Sequence, residues 1–242
     1  ANVGSKAASL AVMVLSVSLT LPYLGAQRFG IWMTIASFSG MLTFLGMGVG
    51  NALTNLVAKR SAAADFQSVR RAISGGLGLL LVVGLVVAGS LHVLVDWLPW
   101  SRLITATDPV FLVEAQQTGK IFALLFGLNL FTTGIQSVFA GLQRSFEVHL
   151  VNAIGAVLAL GALWFAVREQ AGLQALLLAT LGVQTATSLV LLALLARRGL
   201  LTLVRMRSAI QFEANGLLRT GGLFFVLQIG TMVGWGSDAL II

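Results

Sequence analysis

Seven stretches of the chain run 18 residues or more without a formal charge: 7–27, 29–58, 72–95, 121–143, 148–167, 170–196 and 220–237. Within them apolar residues fill consecutive positions, so the period of two that marks a half-exposed strand is missing. About 20 apolar residues carry an α-helix across a bilayer. Only helices and closed barrels satisfy their backbones inside hydrocarbon, and barrel strands read as ~10-residue alternating segments. The pattern predicts an all-α, polytopic membrane helix bundle. The expected spans are about 6–23, 29–53, 72–96, 119–142, 150–167 and 172–196, with a seventh starting near Arg219. A basic, polar segment 54–71 and a loop 97–117 with Pro99 and Pro109 separate the earlier spans. Residues 1–200 are expected to form a six-helix N-terminal lobe. Residues 201–218 are expected as a cytoplasmic, amphipathic linker, and 219–242 as the first span of a second lobe. Because the chain starts at Ala1 and stops inside an apolar run, it is expected to be a piece of a longer, transporter-sized protein.

Composition sharpens this picture. Hydrophobic residues make up 57% of the chain and charged residues 10%, which excludes an ordinary water-soluble domain. The absence of Cys excludes a disulfide-stapled secreted fold. A net charge of +7 raises the question of nucleic acid, but its distribution answers otherwise. With the N-terminus in the cytoplasm, the inner segments hold Lys6, Lys59, Arg60, Arg70, Arg71, Arg144, Arg197, Arg198, Arg205, Arg207 and Arg219. The outer segments hold Arg28, Arg102, Lys120 and Arg168, so the bias is the one the positive-inside rule expects. Tyr23, Trp32, Trp97, Trp100 and Trp164 fall near the outer ends of spans, where amphipathic rings prefer the headgroup layer. The basic excess orients the chain against lipid; nucleic acid is not an expected partner.

Catalytic chemistry is poorly supplied. His92 and His149 have no carboxylate or second His at metal-ligand spacing, so neither an enzyme, a metal nor a cofactor is expected. Gly46-Met-Gly-Val-Gly50 lacks the preceding strand and the following acidic residue of a dinucleotide loop. There, and at Gly230-Thr-Met-Val-Gly234, small residues are expected to let helices pack closely in lipid.

Polar stripes are more informative. Asn129, Thr133, Gln136 and Gln143 share one helical face, as do Asn51, Asn55 and Lys59, and Thr180, Gln184 and Ser188. Gln228, Thr231, Trp235 and Asp238 form a fourth. Each stripe has a plain reading as interhelical hydrogen bonds of about 0.6 kcal/mol apiece. Four stripes could also wall one hydrophilic cavity. The expected cavity residues are Asn51, Asn55, Asn129, Gln136, Gln143, Gln184 and Gln228. Asp238 is the candidate for ion coupling, since a carboxylate at a helix centre costs about 2.5–3.5 kcal/mol and such residues usually serve pathways. Its plain alternative is a position close to the membrane surface.

The first turn reads Leu21-Pro-Tyr-Leu-Gly-Ala-Gln-Arg-Phe-Gly-Ile-Trp32, followed by Leu45-Gly-Met-Gly-Val-Gly-Asn51 at the end of the second span. With Gly141-Leu-Gln-Arg144 and the stretch from Gln228 to Asp238, it resembles the Wzx-like polysaccharide-biosynthesis oligosaccharide flippases. These belong to the multidrug/oligosaccharidyl-lipid/polysaccharide exporter superfamily, and the likeness is to their N-terminal half. At Gly46-Met-Gly48 the chain departs from the family, which often carries an acidic residue there. The resemblance implies two six-helix lobes around a cavity, alternating access, and a bacterial inner membrane. The implied partner is an oligosaccharide on an undecaprenyl pyrophosphate carrier, with membrane lipid and other polysaccharide-assembly membrane proteins beside it. Arg28 and Arg144 are then candidate phosphate contacts, against a plain reading as interfacial snorkelling. Competing expectations are an ion-coupled drug or metabolite exporter and a non-transporting envelope-assembly scaffold.

Overall fold

The structure, a computed structural model, describes residues 23–25, 28–37, 48–100, 109–201 and 206–238. Every regular element among them is helical. In chain order they are α1 (Phe66–Trp97), α2 (Pro109–Gly141), α3 (Ser145–Arg168), α4 (Leu173–Leu177), a π-helical turn (Leu178–Gly182), α5 (Val183–Arg197) and α6 (Met206–Asp238). Residues 28–37 and 48–62 are also helical. Four helices are long and apolar enough to cross a membrane: Phe66–Trp97, Val110–Gly141, Ser145–Arg168 and Leu173–Arg197. They match the third to sixth expected spans. α3 shows why these are lipid-facing. Leu150, Ile154, Val157, Leu158, Trp164 and Phe165 all lie exposed along it, an apolar face that water would not tolerate. The chain is an all-α, polytopic helix bundle. Almost all of the first expected span lies outside the described residues.

The element boundaries differ from expectation where polar residues stay inside helices. The segment 54–71 is not a loop: helix runs to 62, turns, and restarts at Phe66. Asp65 sets that restart by accepting the Ser68 N–H at 3.0 Å, a side-chain N-cap. Residues 109–117, expected as outer loop, are the opening turns of α2, with Pro109 at the first position, where its missing N–H costs nothing. From Met206 on, the segment expected as a linker is continuous with the seventh run in one 33-residue helix.

The chain divides into two compact units, one drawn from within 1–39, 83–129 and 146–191, the other from within 40–82, 130–145 and 192–242. The core of the first gathers Leu24, Ile31, Ala115, Leu163, Leu173, Leu176 and Ala179, with Tyr23, Trp32 and Trp100 packed against it. In the second, Leu53, Val57, Ile73, Leu77, Leu80, Ile135, Val138 and Phe139 are buried. Small residues set the helix spacing there. A Cβ on Gly76 would strike Leu53, one on Gly134 Leu80, and one on Gly141 the Thr54 carbonyl oxygen at 2.7 Å.

Candidate functional site

In the first unit, the turn that carries the family resemblance is a structural knot. The Tyr23 hydroxyl donates to the Ala171 carbonyl at 2.5 Å, and Gly25 has φ +65°, a conformation that only glycine adopts cheaply. Arg28 donates through Nε to Glu114 Oε2 at 3.0 Å, its Nη2 is 3.0 Å from the same oxygen, and its guanidinium lies 5.0 Å over Phe111. The other oxygen, Glu114 Oε1, accepts the Leu173 N–H at 3.0 Å. Gly172 offers no side-chain cap to α4, so a carboxylate from α2 caps it instead, as the positive end of a helix favours. Arg28, expected at a phosphate, is therefore held by a carboxylate of its own chain. Sequence reasoning missed Glu114, placing it in a loop.

In the second unit, the helix 48–62 presents three working faces. Gly48 lies against Gly221 of α6, where an added Cβ would sit 2.6 Å from the Gly221 oxygen. Gly50 lies against Ser137 of α2, and the Thr54 hydroxyl donates to the Ser137 carbonyl at 3.1 Å. The glycine-rich stretch does bring helices close, at Gly48 and Gly50. At Gly230, the second place where close packing was expected, a Cβ would meet open space. The remaining face carries Asn51, Asn55 and Lys59, all exposed. Where this helix ends, Arg60 grips Glu213 of α6 with two bonds, Nη1 to Oε1 at 2.6 Å and Nη2 to Oε2 at 3.0 Å. This pair too was unforeseen, though Glu213 is a lone acid in a basic segment.

The other expected cavity residues distribute as follows. Asn129 on α2 is half-buried and Gln184 on α5 exposed, both in the first unit; Gln136 on α2 and Gln228 on α6 are half-buried, in the second. Asn129, Gln136 and Gln228 are engaged within the fold. Thr180 and Ser188 donate to carbonyls of their own helix, of Leu176 and Gln184, which accounts for much of that stripe. Gln143 is not on the α2 face at all. It follows the helix end with φ +60°, its N–H bonded to the Ala140 carbonyl and that of Arg144 to the Phe139 carbonyl, a Schellman closure. Glycine suits that position better, so Gln143→Gly should raise stability by about 0.5–1 kcal/mol. A thermal melt in detergent checks this, and a lowered midpoint would show the side chain to be engaged. Asp238 ends α6, and its side chain lies outside the described residues.

Near these turns lies a cleft of about 440 Å³, lined by Ser61, Ala64, Phe66, Val69, Leu142, Arg144, Arg198 and Leu200. Among the described residues no group of three or more His, Cys, Asp or Glu could hold a metal ion. The chemistry on offer is hydrogen bonding by amides and anion pairing by arginines.

No protein-family model matches the chain, and no curated protein matches its sequence. Its fold is nonetheless similar to that of solved transporters. One is described as the outward-facing conformation of a multidrug resistance MATE family transporter of the MOP superfamily. The match covers 95% of this chain and 51% of that one, with a TM-score of 0.76 and 17% identity. Another is a MOP superfamily transporter from Pyrococcus furiosus Vc1 (DSM3638), whose reversed pocket polarity is said to suggest a different function. It matches with a TM-score of 0.74, 17% identity and the same coverage. At this identity the likeness is one of fold, and the chain spans about half the length of either structure.

Proposed function

We propose that the chain forms one lobe of an alternating-access transporter, with its N-terminus in the cytoplasm of a bacterial cell. We infer further that its cargo is an oligosaccharide on an undecaprenyl pyrophosphate carrier, flipped from the inner to the outer leaflet. The observation that carries the first step is the fold match over 95% of this chain to half of each MOP superfamily transporter. Two features support the cargo. Asn51 and Asn55 sit exposed on a membrane helix, where amides are tolerated if they line a wet cavity and can bond sugar hydroxyls. The two most buried carboxylates described, Glu114 and Glu213, are each ion-paired with arginine, which leaves neither available to an organic cation.

The second reading is an ion-coupled drug exporter. It draws on the multidrug description of one structural neighbour and on Asp238 as an acid for coupling. Complementation of a flippase-deletion strain separates the two. The flippase reading expects surface polysaccharide to return. Asn51→Ala, Asn55→Ala and Gln136→Ala combined should lower its export by roughly tenfold, about what the loss of several hydrogen bonds costs. Lipid-linked sugar stranded on the inner leaflet while drug tolerance rises would put the exporter in its place. Full export by the triple variant would remove these residues from the cavity.

A further inference from the structure

The cleft between the ends of three helical connections holds two guanidinium groups against an apolar rim, and nothing in the transport reading uses it. Its walls are the turn 61–66, the turn after α2 and the turn after α5. Two of the turns are closed alike. Gln143 (φ +60°) and Gly199 (φ +68°) each follow a helix end in the left-handed conformation. Backbone bonds lock both: Arg144 N–H to the Phe139 carbonyl at 2.8 Å, and Leu200 N–H to the Leu195 carbonyl at 3.1 Å. Arg144 and Arg198 thus leave rigid backbone positions beside one another's helix ends. The Arg198 guanidinium is further steadied 5.7 Å over the ring of Phe139, which is fully buried. Ser61 adds a hydroxyl donor, while Phe66, Val69, Leu142 and Leu200 supply the apolar rim. Phe66 is 71% exposed, a large ring turned outward at the mouth.

We propose that this cleft is a binding site for a phosphate group, and that an anionic phospholipid headgroup is the form in which it arrives. Guanidinium planes bind phosphate oxygens in pairs, with a fit that ammonium groups lack. Basic pockets between membrane helices on the cytoplasmic side are where phosphate headgroups settle, and the positive-inside bias puts Arg144 and Arg198 on that side. The volume lies within the 300–1,000 Å³ or so typical of small-molecule sites, enough for a glycerophosphate and not only for an ion. The exposed phenyl ring gives acyl chains a surface to lie on. Asp65, the carboxylate in the 61–66 turn, is occupied in capping α1, and Glu147 of α3 is engaged within the fold. The competing use of the arginines is to offset the partial negative charge at the ends of α2 and α5. That use predicts a stability effect but no retained lipid.

The site stands whichever cargo the transporter carries. Native mass spectrometry of the intact protein in detergent, with phosphatidylglycerol or phosphatidylcholine added at equal concentration, tests it. The expected result is selective retention of phosphatidylglycerol, weakened about tenfold or more by Arg144→Gln with Arg198→Gln. Arg197→Gln, which removes a neighbouring exposed charge outside the lining, should leave retention unchanged. Inorganic phosphate is the second probe. If it protects against thermal unfolding through the same two arginines while no lipid is retained, the phosphate site holds and its ligand is the free anion. Retention equal in wild type and double variant, or lost equally in Arg197→Gln, overturns the site. Size-exclusion elution of the double variant as wild type confirms that folding is intact, and Arg144→Lys with Arg198→Lys should recover part of the retention.

Discussion

Replacing Glu213 with Ala should cost about 3 kcal/mol of stability, the lower end of the range for breaking a buried ion pair. The lower end applies because Arg60 keeps 19% of its side chain exposed, so water screens the guanidinium that the mutation strands. Glu213 itself is 6% exposed and accepts both Arg60 nitrogens. After its removal, the Ser68 carbonyl at 3.1 Å is the one printed acceptor left to Arg60. The apparent melting midpoint should fall by on the order of 10 °C. A double variant, Arg60→Leu with Glu213→Leu, should come within about 1 kcal/mol of wild type, since well-packed apolar residues commonly replace a buried pair without loss. The asymmetry between single and double variants is the diagnostic. A single variant that melts with wild type would mean that the pair is open to water, and the tie between helix 48–62 and α6 would have to rest on Gly48 and Gly221.

That ion pair also marks where the sequence stops being legible. The spans were readable because lipid demands about 20 apolar residues, whatever the tertiary partners are. α1, α2, α3 and the α4–α5 run all lie where uncharged stretches fall. Helix ends were not readable, because polar residues at a membrane surface can extend a helix as well as leave it. Asp65 caps one helix, Pro109 opens another, and Glu213 sits within a helix that begins amid basic residues. Stripe arithmetic succeeded on one helix, where Asn51, Asn55 and Lys59 do share an exposed face. It failed at Gln143, because helical spacing was carried past a helix end that the sequence does not announce with glycine. The family turn was recognisable as a string, yet its chemistry needed Glu114 and Ala171, 86 and 148 positions away from Arg28 and Tyr23.

Gly127→Ala should be among the most damaging single-methyl changes in the chain. In the first unit, α1 and α2 approach until the backbone of Gly84 meets that of Gly127. A Cβ on either would run into the carbonyl oxygen of the other, and one on Gly127 would also lie 2.7 Å from the Ala88 Cβ. Backbone cannot rotate aside as a side chain does, so the helices must separate. Separation is costly in lipid, where acyl chains are as apolar as leucine and association rests on close van der Waals contact. Overpacking a core costs about 1–3 kcal/mol when side chains give way, and here the upper end is expected. Gly84 and Ala88 are four apart, a small-xxx-small spacing that suits such an approach. The control lies one turn on. A Cβ on Gly89 meets nothing within 4 Å, so Gly89→Ala should be neutral, or stabilising by up to about 1 kcal/mol through helix propensity. Detergent melts of the two variants side by side decide the matter. If Gly127→Ala melts with Gly89→Ala, α1 and α2 have room to part at little cost, and the glycine contact is not what sets their spacing.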